Sequence, residues 1–92
     1  METILITGGT ASGKTIIAEG LMKEHKARGF TSICFECVSP KDDIEEKVRE
    51  RYSDPKGLTL NDSCVDFCIL TSLEPPEEFN RRFYRVIRTG RS

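Results

Sequence analysis

The sequence predicts an α/β protein: a small three-stranded parallel sheet in the order β-α-β-α-β-α, with helices packed on it. Three observations predict this. Short apolar, largely β-branched runs alternate with longer segments in which apolar residues recur every three or four positions. Glycine, proline or asparagine separates each run from the next. The chain has 92 residues, room for a single domain over residues 1–92 and no second. Strands alternating with helical segments imply parallel pairing through crossovers of one hand.

Residues 3–7 read as a buried strand, because Ile4-Leu5-Ile6 is an uninterrupted apolar run closed by Gly8-Gly9. A helix is expected from Lys14 to Arg28, with Ile17, Leu21 and Met22 facing inward and Gly29 as its stop. The second strand spans 30–38. Ser39-Pro40-Lys41-Asp42 follows as an N-cap, a proline at the first helical position and an acid three residues after the cap. Ile44, Val48 and Tyr52 then recur every four residues among charges, the pattern of an amphipathic helix covering one face of the sheet. Residues 53–62 carry proline, glycine, asparagine and two aspartates and read as a loop. The third strand is expected over 65–70. A last helix is expected from Pro75-Pro76, presenting Phe79, Phe83 and Val86 or Ile87 to the core and ending at Thr89-Gly90.

Hydrophobic residues make up 37% of the chain and charged residues 32%, which fits a folded globule rather than a disordered chain. No apolar run approaches the length of a bilayer span, and Met1-Glu2-Thr3 lacks the basic start of a signal peptide, so no membrane is expected and the cytoplasm is the default location. A net charge of −1 excludes a uniformly basic polyanion binder. The charge is unevenly spread: Arg81, Arg82, Arg85, Arg88 and Arg91 crowd the C-terminal stretch. On the expected last helix Arg81, Arg85 and Arg88 share one face. That face is either a solvated flank paired with Glu77 and Glu78, an arginine supplied to a neighbouring copy's nucleotide, or a strip for nucleic-acid phosphates.

The strongest chemical signal is Gly8-Gly9-Thr10-Ala11-Ser12-Gly13-Lys14-Thr15, which satisfies G-x-x-x-x-G-K-[ST] at every defined position. It leaves an apolar strand and opens a helix, so backbone N–H groups and the positive helix end can converge on phosphate oxygens. Glycines permit the close approach. Lys14 would contact β- and γ-phosphates and Thr15 would coordinate Mg²⁺. The alternative is a glycine-rich turn with a solvated lysine.

With this motif the chain resembles the P-loop NTPases, and the segment Phe30-Thr31-Ser32-Ile33-Cys34-Phe35-Glu36 resembles their RecA/KaiC-type ATPase branch in a shortened form. The resemblance implies ATP as ligand or substrate, Mg²⁺ as cofactor and hydrolysis as the reaction. It also makes Glu36, at a strand end, the residue that polarises the attacking water, with Lys14 assisting; alternatively Glu36 is a solvated carboxylate. Val65 to Leu73 resembles the Walker B strand, with Thr71 where the metal-linked aspartate stands in that family and Glu74 or Asp66 as substitutes on another backbone path. No guanine-specific N-K-x-D occurs.

The function expected is therefore a Mg-ATP-binding P-loop protein with ATPase activity. One alternative is a non-hydrolysing regulatory or assembly module. Another is a nucleic-acid-binding protein using the arginine helix. A small-molecule kinase is a further possibility, without an identifiable acceptor site. Open sheet edges and a thin core make a homo-oligomer an expected partner state.

Cys34-x-x-Cys37 and Cys64-x-x-x-Cys68 do not read as a zinc site, because residues three apart on a strand face opposite ways and no glycine lies between them to turn the chain. Buried, unreactive thiols are expected instead. His25, late in the first helix, is expected to sit against the negative helix end.

Overall fold

The computed structural model describes residues 1–9, 13–51 and 65–89. Its elements are β1 (Glu2–Thr7), α1 (Lys14–Ala27), β2 (Ser32–Phe35), α2 (Ile44–Arg51), β3 (Phe67–Ser72), a short 3₁₀ turn (Pro76–Glu78) and β4 (Arg85–Arg88). The fold is α/β, with four parallel strands in the order β2-β3-β1-β4. The expected loop over 53–62, Tyr52 and Cys64 lie outside the described residues.

β1 is central, and five of its six residues are buried. Alternation divides them between two cores. Ile4 and Ile6 join Ile69 of β3 and Ala18 of α1 on one face. Leu5 joins Cys68 and Leu70 of β3, Ile44 and Val48 of α2, and Phe79 on the other. A strand buried on both faces reads as a continuous apolar run rather than an alternating one, which is why residues 3–7 are legible as β1.

α1 carries the chain from β1 to β2, and α2 carries it back to β3 on the opposite face. The connection from β3 to β4 runs in the same sense as α2 and places Phe79 and Phe83 on the α2 face. Reversing direction while changing face is what a constant hand of crossover demands. α1 ends in a Schellman motif: Gly29 takes φ +82°, its N–H donates to the Lys26 carbonyl, and Phe30 N–H donates to the His25 carbonyl.

The expected last helix does not form. Pro75-Pro76 starts only a single 3₁₀ turn, and Phe79 leaves it in extended backbone at φ −88°, ψ 134°. The chain then becomes the fourth strand, paired to β1 from Ile4↔Arg85 to Thr7↔Arg88. The reason is non-local. Without a neighbour on this side, the backbone polar groups along one edge of the buried strand β1 would be orphaned, and β4 satisfies them. Flanking bonds from Tyr84 N–H to the Thr3 carbonyl and from Thr89 N–H to the Thr7 carbonyl, both 2.8 Å, extend the pairing.

This change removes the arginine face. Arg85 and Arg88 lie three apart on a strand and point to opposite sides of the sheet. Arg81 precedes the strand and is tied down by a 2.8 Å ion pair with Glu45 of α2 and a 3.2 Å bond to the Thr3 hydroxyl. Arg88 pairs with Glu77 at 3.1 Å. No shared helical stripe remains to contact nucleic acid or a neighbouring copy.

His25 also differs from expectation. Its ring is buried, stacked on Phe67 with centroids 4.1 Å apart, and its Nδ1 shares a 3.1 Å hydrogen bond with the Ser32 hydroxyl. Burial lowers its pKa below 6.5, outweighing the nearby Glu24 carboxylate. As pH falls, the unfolded chain therefore takes up this proton first, so stability is lost through the range just below 6.5 and levels off beneath the folded pKa. Urea unfolding between about pH 5 and pH 8 should reveal that slope. His25→Phe, which keeps a stacked ring, should remove His25's share of it.

Among the described residues, no helix is long and apolar enough to cross a membrane.

Candidate functional site

The carboxyl ends of β1 and β3 lie side by side at the centre of the sheet, and the chain leaves them in opposite directions. From β1 it turns into α1 on one face; from β3 it passes to β4 on the other. In open parallel sheets the crevice outside such a switch point is where ligands bind. The glycine-rich motif opens into this crevice: Gly8 and Gly9 follow β1 directly, and Gly13, Lys14 and Thr15 begin α1. Thr10, Ala11 and Ser12 lie outside the described residues.

Gly13 is the N-cap of α1 and takes φ +85°, the left-handed region that a Cβ disfavours. It has no side chain with which to cap the helix, and the first turn carries no acidic residue. The positive end of the α1 dipole is thus left without a carboxylate of its own helix. Lys14 folds back over the loop, its ammonium donating to the carbonyls of Gly8 at 3.0 Å and Gly9 at 2.6 Å. Thr15 is exposed.

Three hydroxyls at the strand ends tie the rim together. Thr7 Oγ1 donates to the Glu74 carbonyl at 2.7 Å. Ser72 Oγ donates to the Val38 carbonyl at 2.7 Å and accepts from Glu74 N–H at 3.0 Å. Thr71 Oγ1 accepts from Cys37 N–H at 3.1 Å. All three hydroxyl residues are buried, so these bonds satisfy groups that water does not reach and join β1, β3 and the exit of β2 into one base for the loop. Their signal in the sequence is faint: single hydroxyl residues closing apolar runs.

Thr71 pairs with Ile6 and shares the α1 face with Ile69, at the carboxyl end of β3. It is neutral, and its oxygen is engaged by Cys37. Asp66 cannot substitute: it precedes β3 at the opposite end of the sheet, where its carboxylate accepts from Thr31 N–H at 2.7 Å. Glu74 stands at the correct end, its backbone held by Thr7 and Ser72. Among the described residues no three His, Cys, Asp or Glu side chains converge as a metal set. A magnesium ion here would have to arrive with a nucleotide and be held mainly by phosphate and water, with the exposed Thr15 hydroxyl as the donor that α1 offers.

Glu36 follows β2 directly. Continuing the register Phe35↔Leu70 by one residue puts it beside Thr71, so two strand spacings, about 10 Å, separate its backbone from Ile6 of β1. Its connection to the loop runs through a groove instead. That groove, about 400 Å³, lies between α1 and the edge strand and is lined by both Thr15 and Glu36.

The cysteines do not form a reactive pair. Burial pushes the Cys34 thiol up to about 11, with help from the Glu36 carboxylate, and the Cys68 thiol up to about 12. Both remain protonated at neutral pH. Cys37 departs from the expected burial: it is exposed, and it adopts φ +56° to turn the chain out of β2, the role for which no glycine was present. Cys64 lies outside the described residues.

Comparisons with protein-family models, with curated proteins and with solved structures find no match to this chain.

Proposed function

We propose that the protein binds the phosphates of Mg-ATP in the crevice between β1 and β3. The observation that carries this reading is the coincidence of three features at one place: the complete G-x-x-x-x-G-K-[ST] sequence, a helix N-terminus capped only by a glycine, and the topological switch point. Gly9, Thr10, Ala11, Ser12 and Gly13 supply backbone N–H groups to the phosphate oxygens, while Gly8 opens the loop with its own N–H on the Ser72 carbonyl at 3.3 Å. Lys14 exchanges its bonds to the Gly8 and Gly9 carbonyls for contacts to the β- and γ-phosphates. The Thr15 hydroxyl would hold a magnesium ion brought with the nucleotide, which would supply charge neutralisation at the phosphates.

Hydrolysis, with Glu36 orienting water, is the reaction that the resemblance implies. Steady-state phosphate release tests it. Glu36→Gln should abolish release while leaving ATP affinity nearly unchanged, because the amide keeps the shape and loses the base. A wild-type rate equal to a protein-free blank would favour the regulatory module, in which bound nucleotide stabilises a fold or an assembly. Among the described residues β2 and β4 are the outer strands of the sheet, and their edges are where such an assembly would add strands.

Thr71→Asp tests the metal side of the reading. An aspartate at this position keeps an acceptor for Cys37 N–H and adds a carboxylate at the end of β3. ATP affinity should become more dependent on Mg²⁺, by about tenfold for one added charge-assisted contact. An unchanged dependence in the folded variant would separate residue 71 from the metal.

A further inference from the structure

The groove beside Thr15 is larger than a hydrolase requires. On the same measure one attacking water needs about 10–15 Å³, whereas this open groove measures about 400 Å³, within the range of small-molecule sites. It is built by elements distant in sequence. Thr15, Glu19 and Met22 form one stripe of α1, Cys34 and Glu36 come from β2 and its exit, and Arg51 comes from the end of α2. α2 packs on the other face of the sheet, where the Arg51 guanidinium carbon lies 5.9 Å from the centroid of the Phe35 ring, so the groove extends from α1 past the edge of β2.

From this geometry we infer that the groove is an acceptor site, and that the protein transfers the terminal phosphoryl group of ATP to a hydroxyl of an uncharged, polyhydroxylated ring compound. The inference rests on the nucleotide reading above, since Thr15 marks the phosphate end of the groove. Ala18, Met22 and Cys34 provide apolar surface for a ring on the α1 face. The carboxylates of Glu19 and Glu36 accept hydrogen bonds and so suit a ligand rich in hydroxyl donors. With one arginine against two glutamates, the lining is net negative and disfavours an anionic acceptor. Sugars and nucleosides share the required chemistry.

In the reaction, an acceptor hydroxyl oxygen forms a bond to the γ-phosphorus while the bond from that phosphorus to the β,γ-bridging oxygen breaks. ADP leaves with the bridging oxygen, and the hydroxyl proton passes to the Glu36 carboxylate. Atoms and charge balance with no further reactant.

The test incubates the full chain with Mg²⁺ and ATP labelled in the γ-phosphate, with one arm containing glucose and ribose and another the four ribonucleosides, and separates the products by charge. Label on an organic phosphate is the expected result, and the arm in which it appears identifies the source. Glu36→Gln should lower transfer about a hundredfold or more. Glu19→Trp, which fills the groove from an exposed position on α1, should abolish transfer and leave the ATP-induced rise in melting temperature intact. Release of free phosphate alone in both arms would overturn the acceptor site and leave a hydrolase. Absence of both products with a preserved ATP-induced rise would overturn the acceptor site and leave a binding module. No ATP-induced rise in the wild type would remove the nucleotide reading itself, and the acceptor site with it.

Discussion

Lys14→Ala should weaken ATP binding by tenfold or more. A charge-assisted contact to phosphate is worth about 1.5–3 kcal/mol, and each 1.4 kcal/mol is a factor of about ten. The ammonium sits on the Gly8 and Gly9 carbonyls, so the gain is what the phosphate contacts are worth beyond the bonds they replace. Because those two bonds are lost in the variant as well, its own melting temperature has to be measured before nucleotide is added. The decisive quantity is the further rise on adding ATP, which should be large in the wild type and nearly absent in the variant. An equal rise in both proteins would mean that ATP binds elsewhere.

Leu70→Ala should produce the largest loss of stability of any single truncation considered. Leu70 is fully buried, pairs with Leu5 on one side and Phe35 on the other, and lies in the core shared with Val48 and Phe79. Leu-to-Ala changes at such positions cost about 3–5 kcal/mol, against a total of about 5–15 kcal/mol for a native domain. In a chain of this length that corresponds to a fall in melting temperature of roughly 12 °C or more. Leu73→Ala, at an exposed position just beyond the same strand, should change stability by less than about 0.5 kcal/mol. Comparable losses at the two positions would contradict the register of β3 described here.

The first half of the fold was legible because its determinants are local. Ile4-Leu5-Ile6, the glycines after it and Gly29 each act within a few residues, and they yield β1 and α1 nearly as expected. β2 is shorter than expected, four residues rather than nine, because the positive φ of Cys37 and the edge position end its pairing early. β4 was illegible for a different reason. Phe79, Phe83 and Val86 match a helical period, and only the need of β1 for a second neighbour decides the segment otherwise. The short β-branched pair Val86-Ile87 was the one local hint, and period alone does not separate a strand of four residues from a helix turn.

The same distinction governs the site. Residues 8–15 form one contiguous motif, and recognising it needs no tertiary knowledge. Glu36 was found through resemblance to a strand-end glutamate, whereas its proximity to Thr15 follows from α1 packing over the edge strand. Arg51 and Glu19 carried no sequence signal at all. They line one groove only because α1 and α2 flank β2 from opposite faces. Conversely, the common face expected for Arg81, Arg85 and Arg88 rests on a helix that does not form, while the expected pairing with Glu77 is present at Arg88.

Calorimetric titration of the wild-type chain with ATP, with and without Mg²⁺, tests the central claim most directly. The account predicts saturable binding of one ATP per chain, tighter with Mg²⁺ than without it and weaker for ADP, which lacks the γ-phosphate that Lys14 reaches. An absence of binding heat for both nucleotides, together with a melting temperature that neither of them moves, would contradict it.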